Sequence, residues 1–273
     1  MDAGDRESAE RVRSLIERGQ CDPSLFRAEL TRIVPVTRDA WVDQVFGLGA
    51  PPADGPQLPI GCVPYLPCSV DVLLRLTEHA PVRASDPFVD IGAGVGRAAA
   101  LMHLLTGAPA LGVEVQPALV AAARELVARL HLSSVSFIEA DASQSTDAWS
   151  AGSVFLLYCP FSGDRLARLL GNLEPVARAR PIRLCCVDLP LPPSPWLEQT
   201  PPPSVDLTIY QAGWQAARLG RASADELGLE RPGQPGLKLL VAPAAATNQH
   251  VVVDRIVEHP DDVRRRGLVE PGA

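Results

Sequence analysis

Short, almost wholly apolar runs alternate along this chain with stretches in which apolar residues recur every three or four positions. The runs predict strands near 87–93, 110–115, 135–141, 153–160 and 182–189, with helices between them near 95–106, 116–131 and 164–174. That order predicts an α/β fold with a doubly wound, mainly parallel sheet. In the helix at 116–131, Leu119, Ala123, Leu126, Val127 and Leu130 share one face, and in the helix at 164–174 Leu166, Leu169, Leu170 and Leu173 do the same, so both stripes should pack on the sheet. Pro175 is expected to end or kink the later helix. Two further apolar runs, VDLTIYQA from Val205 and GLKLLVAP from Gly236, are candidate strands for an antiparallel end of the sheet.

Upstream, Asp22 and Pro23 form a helix start, a capping acid followed by a proline in the first turn. Thr37 is expected to cap another helix carrying Trp41, Val45 and Phe46 before Gly47, giving a small helical N-terminal region. Ala50 to Pro67 is rich in proline and glycine, an extended connection that passes Tyr65 toward the first strand and could fold over a bound ligand. The expected organisation is therefore a helical region and linker at 1–60, a principal domain at 61–257 and a charged, frayed tail at 258–273. A length of 273 residues with 47% hydrophobic residues suffices for one such domain with an accessory segment.

The chemistry concentrates in FVDIGAGVGRAAALMHLL, Phe88 to Leu105. Gly92, Gly94 and Gly96 let the backbone turn sharply out of a strand, present its N–H groups and start a helix, the plan of a nucleotide-cofactor cradle. A dinucleotide fingerprint would place a third glycine where this chain has Arg97 and would receive a pyrophosphate. Asp90 would repel that anion and suits a ligand bearing an ammonium and a sulfonium. Glu114, twenty residues beyond the first glycines at the end of the next strand, is spaced to accept from ribose hydroxyls. Its plainer reading is a carboxylate near a helix start. Asp141 follows the third apolar run, Tyr158 to Phe161 close the fourth, and Asp188 closes the fifth, all at the carboxyl ends where an open α/β sheet carries its site.

On Asp90, Gly92, Gly94 and Gly96, followed by Glu114, the chain resembles the class I (Rossmann-like) S-adenosylmethionine-dependent methyltransferases. The resemblance implies S-adenosyl-L-methionine as cofactor, held by Tyr65, Asp90, Gly92, Ala93, Gly94, Glu114, Val115, Asp141, Ala142 and Tyr158, with Asp141 and the Ala142 backbone on the adenine. Members that act on amide or exocyclic nitrogens carry Asn or Asp, then Pro-Pro and an aromatic. Here Pro160 and Phe161 keep the pattern, while Cys159 stands where a polar acceptor is expected, and a thiol is a weak hydrogen-bonding group. The Tyr158 hydroxyl and Asp188, a candidate base by position, are the catalytic candidates. Cys159, Pro160, Phe161 and Trp196 are the candidate acceptor contacts. More distantly, PYLPCSVDVLLRL, FVDIGAGVGR and GVEVQ, Pro64 to Gln116, resemble the nucleosomal lysine methyltransferases with a Rossmann-like rather than a SET fold, which gives Tyr65 its place beside the cofactor. Their strongly basic nucleosome-binding segments have no counterpart, so the methyl acceptor stays open between a protein side chain and a small molecule. Two other readings stand beside the enzyme: a catalytically silent S-adenosylmethionine-binding or scaffold protein, and an NAD-dependent oxidoreductase.

Composition narrows the partners. A formal net charge of −7 gives no bulk attraction to phosphate backbones, so nucleic acid is not the expected partner. Arg165, Arg168, Arg178, Arg180 and Arg183 are the one basic cluster, expected to be the solvated face of a helix. The six cysteines show no CxxC pair and the five histidines are scattered, which predicts reduced thiols and no metal site. The proline-rich stretches LPLPPSPW and TPPPS replace a regular helix after the fifth strand and should form a semi-rigid wall of the acceptor pocket, with Trp196 in it. No apolar run has membrane length, and the acidic MDAGDRESAE is unlike a secretory signal, so a cytoplasmic protein without a membrane partner is expected. Nothing in the pattern specifies an oligomeric state.

Overall fold

The computed structural model describes residues 1–55, 58–144, 149–201 and 204–212. The helical N-terminal region comprises α1 (Ala3–Glu17), α2 (Pro23–Arg32) and α3 (Pro35–Phe46), followed after the proline-rich connection by α4 (Val70–His79). Then come β1 (Phe88–Ile91), α5 (Arg97–Thr106), β2 (Ala110–Glu114), α6 (Pro117–Arg129), β3 (Val135–Glu139), β4 (Val154–Tyr158), α7 (Gly163–Ala179), β5 (Ile182–Val187), β6 (Leu197–Gln199) and β7 (Leu207–Ala212). The sheet order is β3-β2-β1-β4-β5-β7-β6. β1 to β5 pair in parallel, while β7 runs antiparallel to both β5 and β6.

The expected doubly wound α/β sheet is thus the observed one, and the run from Val205 supplies its antiparallel member. The strands are shorter than the apolar runs because each run's last residues leave the ladder to form the turns at the carboxyl edge. The run from Gly236, His250, His259 and the tail 258–273 lie outside the described residues. Among those that are described, no helix is long and apolar enough to cross a membrane.

Local chemistry explains most boundaries. Asp22 caps α2 through its side chain, which accepts from Leu25 N–H, and Pro23 occupies the first turn. Thr37 does not cap α3: the helix starts two residues earlier on Pro35, Val34 holds the cap position, and the Thr37 hydroxyl donates to Val34 O. Proline's fixed φ and missing N–H make Pro35 a ready first residue, which outranked the side-chain cap. Gly47 ends α3 in the left-handed conformation, as expected. Pro175 does not end α7, which continues to Ala179 and buries Ala177 as well as Leu173. Burial of that last turn against the sheet compensates for the backbone bond that proline cannot make.

Two apolar layers cover the sheet. One face packs against α1 to α5 and α6, joining Phe26, Trp41 and Phe46 to Phe88, Met102 and Val154 in a single buried cluster. The other packs under α7, where Leu166, Leu169, Leu170 and Leu173 meet Phe155, Leu157 and Cys186. α5 is buried on nearly every side, as a helix between a sheet and a second helical layer must be.

Candidate active site

A cavity of about 400 Å³ opens at the carboxyl edge of the parallel strands. Its floor is built from the glycine turn and from the residues that end β2, β3, β4 and β5. This is the place an open parallel sheet leaves for a ligand, because neighbouring connections diverge there to opposite faces.

Glu114 organises the cofactor end. One carboxylate oxygen accepts from Gly94 N–H at 2.9 Å, and the other accepts from the N–H groups of Val115 and Gln116 at 2.8 and 2.9 Å. The acid therefore fixes the glycine turn to the end of β2, while Gly92 and Ala93 both donate to Val113 O. Glycine is required at the turn on two grounds. Gly92 and Gly94 have φ of +82° and +54°, and a Cβ on Gly92 would come within 2.7 Å of Pro160 while one on Gly94 would collide with the Tyr65 ring.

Asp90 stands under this turn, 3% exposed, and its Oδ2 has no hydrogen-bond partner. Burial, aided by the nearby Glu114 charge, pushes its pKa up to about 7, against a hydrogen bond from the Ala99 backbone. A buried carboxylate oxygen without a partner is costly, and a cationic ligand atom would supply what it lacks. On this observation the residues fit S-adenosylmethionine: an acid for the ammonium, a glycine turn that brings Gly92 to the cavity wall, and a second acid at the ribose distance in sequence.

Of the sequence candidates, Tyr65, Gly92, Glu114, Val115, Asp141 and Ala142 lie on the cavity wall. So do Tyr158, Cys159, Pro160, Phe161 and Asp188. Asp90, Ala93 and Gly94 are not on that wall, and the Tyr65 ring covers Gly94. Trp196 is not brought to the cavity, contrary to the expectation that it walls the acceptor pocket. It packs, half-buried, against the α7 side of the core, because the proline-rich segment turns back over the sheet there, anchored by Leu191 N–H donating to the Tyr210 hydroxyl.

Asp141 is held tightly. Its Oδ1 accepts from the Ser143 hydroxyl at 2.7 Å and N–H at 3.0 Å, and its Oδ2 pairs with Arg165 at 2.6 Å. Burial raises its pKa, but these hydrogen bonds and the guanidinium outweigh it and hold the carboxyl below its ordinary value. Arg165 also donates to Ile60 O, so it joins Asp141 to the connection above it. The basic cluster is not a uniform solvated face: Arg180 donates to the carbonyls of Ser150 and Gly152, and Arg183 to Pro81 O and Asp86. Each closes a structural gap.

The proline-rich connection is a strap over the cavity. Gln116 accepts from Gly55 N–H at 2.7 Å and donates to Asp54 at 2.8 Å, and Asp54 accepts from Tyr65 N–H. At the far side Cys62 bridges Phe161, and Val63 N–H donates to Pro160 O. Sequence reasoning missed Gln116, Arg165 and Arg97. The last is the lone charge opening an otherwise apolar helix, a signal that it must be buried and paired. It is 4% exposed, donates to Cys68 O and Asp39, and lies 2.7 Å from Asp43 Oδ1.

At the acceptor end two non-glycine residues have left-handed backbones, Cys159 at φ 40° and Asp188 at φ 49°. The Cys159 thiol donates to Asp188 O at 2.8 Å, so each turn holds the other. Burial, then the Asp188 charge, raises the Cys159 pKa, leaving the thiol a donor and not a nucleophile.

The family model for protein-L-isoaspartate(D-aspartate) O-methyltransferase matches residues 32–151. No curated protein sequence matches the chain. Among solved structures, an RNA methyltransferase from Salinibacter ruber in complex with S-adenosyl-L-homocysteine is alike over 54% of this chain and 92% of its own, at 22% identity and a TM-score of 0.44. A putative methyltransferase, yhhF, from Escherichia coli is alike over 60% of this chain and 92% of its own, at 18% identity and a TM-score of 0.43. The acid-glycine turn and the strand order agree with the matched model, so over residues 32–151 the chain is similar to a methyltransferase family. The matched stretch ends before β4, so it covers the cofactor half and none of the acceptor edge.

Proposed function

We propose that the chain is a class I S-adenosylmethionine-dependent methyltransferase that receives its acceptor over the edge formed by Tyr158 to Phe161 and Asp188, with S-adenosylmethionine held by Asp90, the glycine turn, Glu114, Asp141 and the Ala142 backbone. The observation that carries this is the division of the cavity's acids. Glu114 is engaged by three backbone N–H groups and Asp141 by Arg165 and Ser143, whereas the Asp188 carboxylate has no hydrogen bond or ion pair among the described residues. Two acids are built into the cofactor end and one stands ready at the other.

When bound, the cofactor supplies an electrophilic methyl group. The protein's own contribution is positioning and dryness: the strap and Phe161 exclude water, the mutually held turns at Cys159 and Asp188 fix the edge, and Asp188 takes the proton that the acceptor gives up. The left-handed backbones of Cys159 and Asp188 also argue against a silent scaffold, since such strained conformations persist where surrounding structure holds them for use. The matched family's name points to carboxyl methylation of isoaspartate, and an anionic acceptor of that kind would face the Asp188 carboxylate, so that substrate is not carried over.

Calorimetric titration with S-adenosylmethionine, S-adenosylhomocysteine and NAD tests the assignment of the two ends. Asp90→Ala and Glu114→Ala should abolish binding of the first two, while Tyr158→Phe and Asp188→Asn should bind them with unchanged affinity. NAD should not bind. Loss of cofactor affinity in Asp188→Asn would move that residue to the cofactor end and sink the proposal.

A further inference from the structure

Among the described residues, the cavity wall carries three carboxylates, Glu114, Asp141 and Asp188, and no Lys, Arg or His. The nearest arginine, Arg165, is consumed by Asp141, Ser143 and Ile60 O. With the other two acids engaged, Asp188 is the free charge, exposed beside the Tyr158 hydroxyl, whose pKa is raised by burial and also by the Asp188 charge. A cation is favoured there and an anion is not.

The rim of the same opening is apolar. Six large apolar side chains stand exposed among the described residues: Val34, Val36, Ile60, Val63, Leu66 and Val205. Val34 and Val36 flank the start of α3, away from the cavity. Of the other four, three stand on the strap and one precedes Asp206. Val63 and Leu66 line the cavity, and Ile60, 96% exposed, stands on the same strap. Val205, fully exposed, precedes Asp206, whose carbonyl accepts from Asp188 N–H. Apolar side chains concentrated round one opening mark a surface that something apolar covers.

Resting on the function proposed above, we infer that the acceptor is an amine carried on an apolar body. Its ammonium head sits between Asp188 and Tyr158 while its hydrocarbon lies on Val63, whose N–H donates to Pro160 O, and on Leu66. An ammonium first loses a proton to the Asp188 carboxylate, which passes it to solvent. The amine lone pair then forms the N–C bond as the methyl carbon–sulfur bond breaks, and that bond's electron pair stays on sulfur, leaving a neutral thioether and an N-methylammonium. Carboxylic acids of the same body are repelled by Asp188, and alcohols gain nothing from it.

The test loads the protein with S-adenosylhomocysteine and titrates it with octylamine, ethylamine, octanol and octanoate, then repeats the set with S-adenosylmethionine and weighs the products. Octylamine should bind more than about tenfold tighter than ethylamine, as expected for burial of even part of six extra methylenes. It should also be the one methylated product. Asp188→Asn, a residue that tolerates the left-handed backbone, should erase the preference for octylamine over octanol without changing S-adenosylhomocysteine affinity. Val63→Ser and Leu66→Ser should weaken octylamine and leave ethylamine unchanged. Methylation of octanoate or octanol, methylation of a lysine peptide but not octylamine, or equal binding of the two amines would each overturn the inference and leave the methyltransferase standing. So would a loss of thermal stability in the serine variants with no effect on octylamine, which would mean that the rim is covered by the protein itself. Failure of the protein to bind S-adenosylhomocysteine at all would overturn the underlying function first.

Discussion

Asp90 carries its charge against the preference of the fold: its carboxyl has a pKa of 3.8 in the open chain and about 7 in its buried place under the glycine turn. The native state thus holds the proton more tightly, and stability without cofactor should be greatest below about pH 4, fall as the pH rises toward 7, and level above it. Asp90→Asn keeps the shape and removes the ionisation. Without cofactor it should be more stable than the parent at pH 8, by up to about 4 kcal/mol, with no slope between pH 4 and 7 from this residue. Urea unfolding at pH 5 and pH 8 measures both quantities, and a variant no more stable at pH 8 would show that Asp90 is not the strained group. Cofactor affinity should move the other way, falling in the variant and, in the parent, falling as the pH drops below 7, because an ammonium pairs with the ionised form. At this scale the sequence was readable where function is local. Asp90, Gly92 and Glu114 are fixed by spacing within one strand–turn–helix unit. The left-handed backbones of Cys159 and Asp188 were not legible, since φ at a non-glycine residue depends on what packs round it, and the inward turn of the segment carrying Trp196 depends on Tyr210, fourteen residues on.

Among the elements, the strap is where local pattern and long-range contact divide. Its prolines and glycines announce an extended connection, but nothing in residues 50–67 says that Gln116 will clasp Gly55 and Asp54 from the first turn of α6. The clasp has a kinetic consequence. The Tyr65 ring covers Gly94, so a ligand that reaches that part of the turn requires the strap to shift. Gln116→Ala removes two hydrogen bonds, each worth about 1 kcal/mol, and should populate the shifted strap more often. Association and dissociation of S-adenosylmethionine should both quicken by about tenfold with little change in affinity, and proteolysis between Leu58 and Leu66 should speed up while the unfolding temperature holds. Stopped-flow binding decides the matter: a change in dissociation alone would make Gln116 a cofactor contact and the strap a fixed wall.

For the molecule as a whole, the N-terminal helices and the sheet are one buried assembly, and Arg97 is the polar joint inside it. Trp41 and Phe46 of α3 share their cluster with Phe88 and Met102, so no apolar boundary separates the helical region from the cofactor motif. Arg97, in the position a dinucleotide fingerprint gives to glycine, reaches from the first turn of α5 to Asp39 and Asp43 of α3 and to Cys68 O before α4. Burial already raises the Asp43 pKa, though Arg97 draws it down, so without the guanidinium that carboxylate would be desolvated and unpaired. Arg97→Ala should therefore cost about 3 kcal/mol, within the range for breaking a buried pair on one side. Removing the acids as well, in Asp39→Ala/Asp43→Ala/Arg97→Met, should restore most of it, because an apolar replacement of the whole network carries no stranded charge. Unfolding should remain a single transition in every variant, followed both by far-ultraviolet circular dichroism and by tryptophan emission. Separate transitions, or a cost within about 0.5 kcal/mol for Arg97→Ala, would mean that the helices dock on the sheet as an independent layer and that the arginine's burial is incidental to holding them.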